Sequence, residues 1–493
     1  MTTQTTPLWL ATTNAPPRET LRGEIHADVV IIGAGITGLT AAVLLQERGK
    51  KVVVLEKERV AEGESGHTTA HLTEAVDARY HSIKRHFSKE AAKQVADASR
   101  AAIEQIEHFI KRYSIHCHFE RVPGYLYTEK RKYVAELKNE SLSAREAGCK
   151  AEWIEEGSVP LPFPTRGAVR FDNQAQFHPR EYLLALAARV PLYEKTQVVK
   201  IAPGLVETEH GKVHAEEIIE ATNVPIAGST IVHTKQTAYR TYAMAFEVSG
   251  EHPQGLFWDT ADPYHYTRWQ TTDAGTYLII GGEDHKVGHD EDSEAAFARL
   301  REYAVSLWGD LPLRYQWSGQ IAEPHDGLPF IGKSGTHYIS TGYSGQGMTF
   351  GTVGGMILAD LITKRDNEWA KLFDPARIPK HGLRDFAAQN AEFPARVLAD
   401  RLTSHDVESK DAFDVKAGEG KIIKLEGKKV AAYRDDAGTL HCVSPICTHM
   451  KCDVAWNTAE RSWDCPCHGS RFGPDGHVLN GPAKVDLEKI EPR

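Results

Sequence analysis

The stretch from Asp28 to Glu56 constrains the fold of this chain more than any other. Its first run, Val29 to Ile32, is apolar and β-branched, as in a parallel strand that is buried on both faces. Gly33, Gly35 and Gly38 follow with the spacing G-x-G-x-x-G. The first glycine permits a tight turn, the second lets the backbone approach a pyrophosphate, and the third allows a helix to pack closely on the strand. The pattern predicts a dinucleotide site.

A second apolar run, Val52 to Leu55, ends on Glu56. Seventeen residues separate Gly38 from Glu56, which places the carboxylate where it can accept hydrogen bonds from an adenosine ribose. The helix between the two runs directs free N–H groups and a positive dipole end at the phosphates. Strand, helix, second strand and acid together predict an α/β, Rossmann-like domain.

The composition limits the other possibilities. A chain of 493 residues is long enough for roughly three domains. A net charge of -9 argues against nucleic acid or an anionic membrane as the main partner. No apolar run approaches the roughly twenty residues of a membrane span, and the N-terminal segment lacks the apolar core of a secretory signal. We therefore expect a cytoplasmic protein with no transmembrane segment.

The cysteines are clustered, with five of the seven between Cys442 and Cys467. This clustering indicates a metal site rather than a disulfide framework. Cys447 and His449 form a C-x-H pair, and Cys465 and His468 form a C-x-x-H pair. This is the ligand set of a Rieske [2Fe-2S] centre, with two cysteines on one iron and two histidines on the other. Zinc also accepts two cysteines and two histidines, although zinc fingers separate them into a cysteine pair and a histidine pair.

The sequences CTHMKC and CPCHGS resemble Rieske proteins of the cytochrome bc1 and b6f type. The resemblance implies a disulfide between Cys452 and Cys467 that joins the two cluster loops. It also implies that Gly481-Pro482-Ala483 shields the cluster and that Ser470 hydrogen-bonds a bridging sulfide. Short strands separated by turns predict a small all-β domain at 411–493.

The region 28–375 resembles the FAD-dependent oxidoreductases related to D-amino-acid oxidase and sarcosine oxidase. The segments ESGHTTAH (Glu64 to His71) and STGYSGQGMTFGTVGG (Ser340 to Gly355) carry this resemblance. It implies a Rossmann-like FAD-binding domain joined to an antiparallel-sheet substrate domain. The FAD-binding parts are expected at about 28–80, 170–228 and 315–375, and the substrate-side parts at about 81–169 and 229–314. Residues 1–27 are expected to form a lead-in, and residues 376–410 a linker.

The fingerprint and the resemblance together predict the residues that bind FAD: Gly33, Gly35, Gly38, Glu56, Ser65, Thr68, Thr69, Val198, Ala221, Thr222, Gly342, Gly345, Gln346, Gly347, Met348 and Thr349. In some relatives a histidine of the hydroxyl-rich loop is bonded covalently to FAD. Thr68 occupies that position here, with His67 beside it. Sarcosine oxidases attach FAD through a cysteine that corresponds to Ser318, so that linkage is excluded. Acid-releasable FAD is therefore expected.

Arg268 and Tyr266 are the catalytic candidates. They lie two residues apart in an alternating run and so on one face of a strand. The resemblance implies that such an arginine binds a substrate carboxylate, while an ion pair with a surface acid is an equal alternative. A lysine that holds the carboxylate in relatives corresponds to Thr349. This departure argues against a simple amino acid and leaves a small neutral amine as the expected donor, by family analogy alone.

A two-electron flavin and a one-electron cluster on one chain allow three interpretations. The favoured one is a dehydrogenase that oxidises an amine-like substrate and delivers electrons singly to an external carrier or quinone-like acceptor. A ferredoxin-fed flavin reductase would reverse this flow. A non-catalytic redox module is the third interpretation, and an open cavity at the flavin would argue against it. Separately, Asp77, His81 and His86 resemble a facial triad for mononuclear iron.

Overall fold

The computed structural model describes residues 6–226, 230–287, 293–378, 415–425 and 428–491. Within these ranges the helices are α1 (Leu8–Thr12), α2 (Ile36–Glu47), α3 (Tyr80–His86), α4 (Lys89–Tyr113), α5 (Val134–Glu146), α6 (Pro179–Ala187), α7 (Thr230–His233), α8 (Ser293–Trp308) and α9 (Gly347–Ile362). None of these helices has the length and apolarity that crossing a bilayer requires. Residues 379–410 of the expected linker lie outside the described residues, so the linker stays a prediction.

The strands form four sheets. In chain order they are β1 (Gly23–Ile32), β2 (Val52–Leu55), β3 (His71–Leu72), β4 (Glu120–Tyr127), β5 (Ala151–Ile154), β6 (Ala168–Gln176), β7 (Leu192–Tyr193), β8 (Val198–Ala202), β9 (Leu205–Thr208), β10 (Gly211–Glu220), β11 (Gln236–Val248), β12 (Leu256–Trp258), β13 (His265–Thr272), β14 (Gly275–Lys286), β15 (Leu313–Pro324), β16 (Phe330–Ser334), β17 (His337–Thr341), β18 (Gly420–Leu425), β19 (Lys428–Arg434), β20 (Leu440–Val443), β21 (Ala455–Asn457), β22 (Ser462–Asp464), β23 (Arg471–Phe472) and β24 (Val478–Asn480).

The first sheet contains the predicted Rossmann-like unit. Its main path runs β16-β17-β10-β1-β2-β7, and β1 is parallel to both β2 and β10. The run Val29 to Ile32 is buried throughout, which explains its unbroken apolar character. A Cβ on Gly38 would lie 2.0 Å from the carbonyl oxygen of Gly33, so only glycine lets α2 approach β1 this closely. The predicted α/β fold class is confirmed.

The second sheet has nine strands, with its main path in the order β15-β11-β14-β13-β12-β4-β6-β3. Strands β13 and β14 form the hairpin at its centre, and Trp269 is paired with Leu278. Most of its neighbouring strand pairs are antiparallel, as expected for the substrate-side domain, while β12 and β4 are parallel. The C-terminal part is all-β, with a three-stranded sheet (β18-β19-β20) and a four-stranded sheet (β21-β22-β23-β24). It agrees with the small all-β domain predicted there.

The N-terminal segment is more ordered than a lead-in. It contains α1, and β1 begins at Gly23, where it pairs with Gly211. Trp9 is fully buried, and its indole N–H donates a hydrogen bond to the carbonyl of Thr68 at 2.6 Å. Burial of this large aromatic side chain ties the segment to the hydroxyl-rich loop. The segment therefore belongs to the body of the first domain.

A buried ion network joins the C-terminal domain to the second sheet. The carboxylate of Glu460 accepts hydrogen bonds from Arg240 on β11, from Ser318 on β15 and from Arg471 on β23. Burial alone would raise the pKa of Glu460, but the two guanidinium groups and the hydroxyl lower this pKa to about 2. Arg471 also pairs with Asp464 at 3.0 Å. These contacts hold the C-terminal domain in one position against β11 and β15.

Replacing Glu460 with glutamine should test this network. The change leaves two buried cations without their shared anion, so the free energy of unfolding should fall by roughly 3–5 kcal/mol at neutral pH. Because the pKa of Glu460 is depressed, the stabilisation is present above the pKa of an unfolded glutamate and is lost as the pH falls towards about 2. Urea unfolding at several pH values measures both effects.

The exposed residue Glu488 provides the matched control for that experiment. Glu488→Gln should leave the urea midpoint unchanged, since it removes a solvated charge. If Glu460→Gln unfolds at the same urea concentration as Glu488→Gln, the network does not stabilise the domain contact.

Candidate redox site

A cavity of about 280 Å³ lies where the two large sheets and the C-terminal domain meet. Its walls come from the glycine fingerprint, from residues 61–77, from β13, from the turn between β17 and α9, and from residues 478–484. Five regions of the chain thus enclose one space. The cavity is partly open to solvent.

The fingerprint end of the cavity is built from backbone groups. Gly33 has a φ of 104°, and a Cβ there would lie 2.4 Å from the carbonyl oxygen of Ala221. Glu56 lies at the end of β2, where its carboxylate accepts hydrogen bonds from the N–H groups of Ala34 (2.8 Å) and Glu58 (2.9 Å). Burial raises the pKa of Glu56, and these N–H groups oppose that shift. The arrangement fits the adenosine end of FAD.

Most of the predicted FAD-binding residues line the cavity: Gly33, Gly35, Glu56, Ser65, Thr68, Thr69, Val198, Ala221, Thr222, Gly345, Gln346, Gly347 and Met348. Gly38, Gly342 and Thr349 do not. Gly38 packs against Gly33, while Gly342 has a φ of 79° in the turn after β17. The Thr349 hydroxyl is buried and accepts a hydrogen bond from the Thr73 N–H at 3.2 Å. These three residues shape the backbone around the site.

The expected role of Arg268 is not supported, because its guanidinium does not line the cavity. Arg268 is fully buried and donates to the carbonyl of Thr69 (2.6 Å), the carbonyl of Phe177 (3.2 Å) and the side-chain oxygen of Gln270 (2.6 Å). Burial lowers its pKa to about 9. The alternative, an ion pair with a surface acid, is also wrong, since its partners are carbonyl and amide oxygens. Arg268 supports the flavin loop at Thr69.

Tyr266 does line the cavity, together with side chains that the sequence did not single out. His71, Trp258 and Tyr264 join it. The His71 ring lies 5.6 Å from the Tyr266 ring and 5.5 Å from the Trp258 ring, measured between centroids. The Tyr266 hydroxyl is hydrogen-bonded with that of Thr241 at 2.8 Å. An aromatic wall therefore faces the space on the substrate side.

The proposed facial triad is wrong, because its members have separate partners. Asp77 accepts a hydrogen bond from the Gly345 N–H at 3.1 Å, while His81 pairs with Glu140 at 2.7 Å. In the part of the chain that the structure describes, His, Cys, Asp or Glu ligand atoms gather in threes only at Cys452, Cys465 and Cys467. A mononuclear iron site at Asp77 has no support.

The four predicted Rieske ligands converge on two neighbouring loops. The thiols of Cys447 and Cys465 are buried and hydrogen-bonded with each other. The His449 and His468 rings lie beside one another, with 5.0 Å between their centroids and an interplanar angle of 89°. Two adjacent thiols opposite two adjacent imidazoles form the donor set of a Rieske [2Fe-2S] cluster, and the residues fit that group.

Neighbouring residues reinforce the two cluster loops. Cys452 and Cys467 form the disulfide that the resemblance implied. The Ser470 hydroxyl contacts the Cys447 thiol and accepts a hydrogen bond from the Ala483 N–H at 3.0 Å. This bond joins the shielding segment to the cluster loops.

The C-terminal domain supplies part of the wall of the flavin cavity. The Lys57 ammonium donates to the carbonyls of Val478 (3.3 Å) and Leu479. The Asn480 amide donates to Glu64 at 2.8 Å. Residues 478–481, 483 and 484 all line the cavity. Nothing in the sequence signalled these contacts, since they join positions more than 400 residues apart.

The cluster loops themselves touch the flavin-binding domain. The side-chain amide of Gln320 donates to the carbonyl of Gly469 at 3.0 Å, and a Cβ on Gly469 would lie 2.4 Å from the same amide nitrogen. The His449 ring lies 5.3 Å from the ring of His233, whose Nε2 is hydrogen-bonded with the carbonyl of Pro225 at 2.7 Å. The histidine side of the cluster site thus faces the flavin domain.

Comparisons with known proteins agree with the division of the chain into a flavin-binding part and a C-terminal cluster domain. The chain matches the family "FAD dependent oxidoreductase" (DAO) over residues 28–361 and the "Rieske [2Fe-2S] domain" over residues 406–491. It is 32% identical to the "Putative Rieske 2Fe-2S iron-sulfur protein YhfW" of Bacillus subtilis, across 98% of this chain and 97% of that protein. It is 26% identical to a gamma-glutamylputrescine oxidoreductase of Escherichia coli, across 73% of this chain and 90% of that protein.

Solved structures show the same fold for the first two sheets. Glycine oxidase from Geobacillus kaustophilus superimposes with a TM-score of 0.60 at 18% identity, covering 72% of this chain and 99% of that chain. L-Proline dehydrogenase from P. horikoshii gives a TM-score of 0.60 at 19% identity, covering 73% of this chain and 98% of that chain. At these identities the likeness concerns the fold alone.

The cluster assignment can be tested by metal analysis. Purified protein should contain about two irons and two acid-labile sulfides per chain, and the reduced protein should show a Rieske-type EPR signal. Cys465→Ser should lose that signal because it removes a ligand. The control is Cys442→Ser, which alters a buried free cysteine outside the ligand set and should keep the signal. Iron-free, zinc-loaded protein would contradict the assignment.

The flavin site can be tested at Gly35. A Cβ there would lie 2.8 Å from the Ser65 hydroxyl oxygen, and a valine would also fill space needed by the pyrophosphate. Gly35→Val should abolish FAD binding, and Gly35→Ala should reduce it less. Flavin released by acid from the wild-type protein, measured by fluorescence, gives the ratio per chain. Flavin that stays with the precipitate would indicate a covalent bond, with His67 as the candidate.

Proposed function

The chain belongs to the FAD-dependent oxidoreductase family and carries a C-terminal Rieske [2Fe-2S] domain. From this premise we propose that it is an amine dehydrogenase in which the flavin passes its electrons to the Rieske cluster of the same chain. Its substrate is a small amine, and an external one-electron carrier receives the electrons. The observation that carries the proposal is that the Rieske domain forms part of the wall of the flavin cavity and packs the His449 ring against His233 of the flavin domain.

Two cofactors define the chemistry. When bound, FAD takes up the hydride of an amine C–H bond, and the [2Fe-2S] cluster exchanges electrons one at a time. Glu56 and the backbone at Gly33 would hold the adenosine and pyrophosphate. The N-terminus of α9 opens on the cavity at Gly347 and Met348, where free N–H groups and the helix dipole stabilise negative charge.

The substrate side of the cavity supports an amine rather than an amino acid. Trp258, Tyr264 and Tyr266 offer apolar faces, and Arg268 lies outside the lining. His71 stays neutral because burial lowers its pKa well below the ordinary value. A substrate carboxylate would therefore find no cation on this wall. A relative that is named as a gamma-glutamylputrescine oxidoreductase supports the amine class.

The position of the Rieske domain supports electron transfer within the chain. The contacts of Gln320 with Gly469 and of Glu64 with Asn480 join β15 and the hydroxyl-rich loop to the cluster domain. Because Glu64 also accepts a hydrogen bond from the Gln320 N–H at 2.7 Å, one carboxylate connects both domains and the flavin loop. These contacts between the two domains favour exchange between the two centres over exchange with separate partners.

Cys447→Ser should separate the two half-reactions. Loss of the cluster should leave the anaerobic bleaching of the flavin by an amine intact and slow its reoxidation by a one-electron acceptor severalfold. Stopped-flow spectroscopy measures both, with Cys442→Ser as the control that keeps the cluster. In wild-type protein the flavin should bleach before the cluster. Cluster reduction by ferredoxin before flavin bleaching, with no amine able to start the reaction, would favour a flavin reductase instead.

A further inference from the structure

His233 is a buried histidine of the flavin domain that faces the cluster site and has no part in the FAD-binding contacts described above. It is the last residue of α7, and only 8% of its surface is exposed. Its ring lies 5.3 Å from the ring of the cluster ligand His449, measured between centroids, with an interplanar angle of 67°. A polar side chain thus lies where the flavin domain meets the histidine side of the cluster.

One of the two ring nitrogens of His233 is engaged within the flavin domain. Nε2 lies 2.7 Å from the carbonyl oxygen of Pro225, and a carbonyl oxygen can only accept a hydrogen bond. Nε2 therefore carries a proton. Because burial disfavours a charged ring, His233 is neutral and its Nδ1 has a free lone pair. This tautomer makes Nδ1 a hydrogen-bond acceptor.

The other ring nitrogen, Nδ1, is unsatisfied. It is buried and has no hydrogen-bond partner within the described part of the chain. A buried acceptor without a donor costs free energy, so the structure gains stability when a neighbouring N–H is directed towards it. The donor must come from a group that packs against the ring of His233.

The carbonyl that orients His233 belongs to a segment of the cavity wall. The N–H of Ile226, the residue after Pro225, donates a hydrogen bond to the buried carboxylate of Glu220. Asn223 and Ile226 line the flavin cavity. The same short segment therefore borders the flavin site and holds the ring that faces the cluster.

His233 is not a third ligand of the cluster. A Rieske centre takes two histidines, and His449 and His468 supply them. In the residues that the structure describes, ligand atoms of histidine, cysteine or acidic side chains lie together in threes only at three cysteines of the cluster loops. His233 can therefore act on the cluster only through a ligand, and the ligand that it contacts is His449.

The distance between the two rings suits a hydrogen bond from His449 to His233. A histidine that binds a metal through one nitrogen carries a proton on the other and donates it to a neighbouring acceptor. A ring nitrogen lies roughly 1.2 Å from the centre of an imidazole, so an N–H···N bond of about 2.9 Å separates two ring centroids by roughly 5 to 5.5 Å. The observed 5.3 Å lies in this range.

We propose that His233 is a positioning residue that accepts a hydrogen bond from the iron-bound imidazole of His449 and thereby lowers the reduction potential of the cluster. An acceptor on the outer N–H makes a ligand imidazole a stronger electron donor, which stabilises the oxidised cluster more than the reduced cluster. The flavin domain thus sets the potential of a cluster that the C-terminal domain carries. The inference needs the Rieske assignment and no particular substrate.

The experiment is an anaerobic redox titration of the full chain, loaded with FAD and the cluster, with dithionite as reductant and EPR as readout. Two variants of nearly equal shape are compared. His233→Leu removes the acceptor, so the midpoint potential should rise above that of the wild type. His233→Asn places a side-chain oxygen near the position of Nδ1, so its potential should stay closer to the wild type. The g values of the reduced cluster should also differ between the two variants.

Folding and domain contact are controlled in the same samples. Both variants should keep about two irons per chain, and their urea midpoints should match each other because leucine and asparagine have similar volumes. His477→Leu alters an exposed histidine of the C-terminal domain and should leave the potential at the wild-type value. A difference in potential between the two His233 variants then reports the hydrogen-bond acceptor and not the packing of the domains.

The outcomes separate this inference from the proposed function. A higher potential in His233→Leu than in both the wild type and His233→Asn would support the hydrogen bond, whether or not any amine bleaches the flavin. Equal potentials in the two variants, or a wild-type potential in His233→Leu, would overturn it. Because dithionite supplies the electrons, neither of these results bears on the amine reaction, which the stopped-flow experiment tests by itself.

Discussion

The position of the C-terminal domain depends on one buried carboxylate, that of Glu460. Charges removed from water are stable only when they are paired, and Glu460 satisfies Arg240 of one domain and Arg471 of the other at the same time. Moving the domains apart would leave the buried Arg240 without its carboxylate partner, while Arg471 would keep both Glu460 and Asp464. The network therefore favours one docked arrangement, in which residues 478–484 complete the wall of the flavin cavity.

The docked position of the C-terminal domain determines which side of the cluster site faces the flavin domain. The cluster ligand His449 packs against His233 of the flavin domain, and Gly469, next to His468, fits against Gln320 because it has no side chain. The cluster site is thus directed inward. The side of the C-terminal domain that faces away from the flavin domain stays accessible from outside.

Arg268 shows how a local pattern can mislead. Two-residue spacing correctly placed it on the same strand face as Tyr266, yet only Tyr266 lines the cavity. The Trp9 ring lies beside its guanidinium, and each of the three guanidinium nitrogens donates a hydrogen bond, to Thr69, Phe177 or Gln270. The alternation of side chains along a strand predicts which residues share a face. It does not predict which part of that face another segment covers. The N-terminal helix that covers it lies more than 250 residues away.

The sequence by itself determined the α/β fold, and it predicted most of the residues that line the cavity and the two Cys-His pairs that lie together, because each depends on residues a few positions apart whose spacing matches a rigid local geometry. Gly33 with Gly38, and Cys465 with His468, are of this kind. Only the tertiary structure decided the docking through Glu460 and the contribution of residues 478–484 to the wall of the flavin cavity. These groups come from distant segments and meet only in the folded chain, which no spacing along the sequence records.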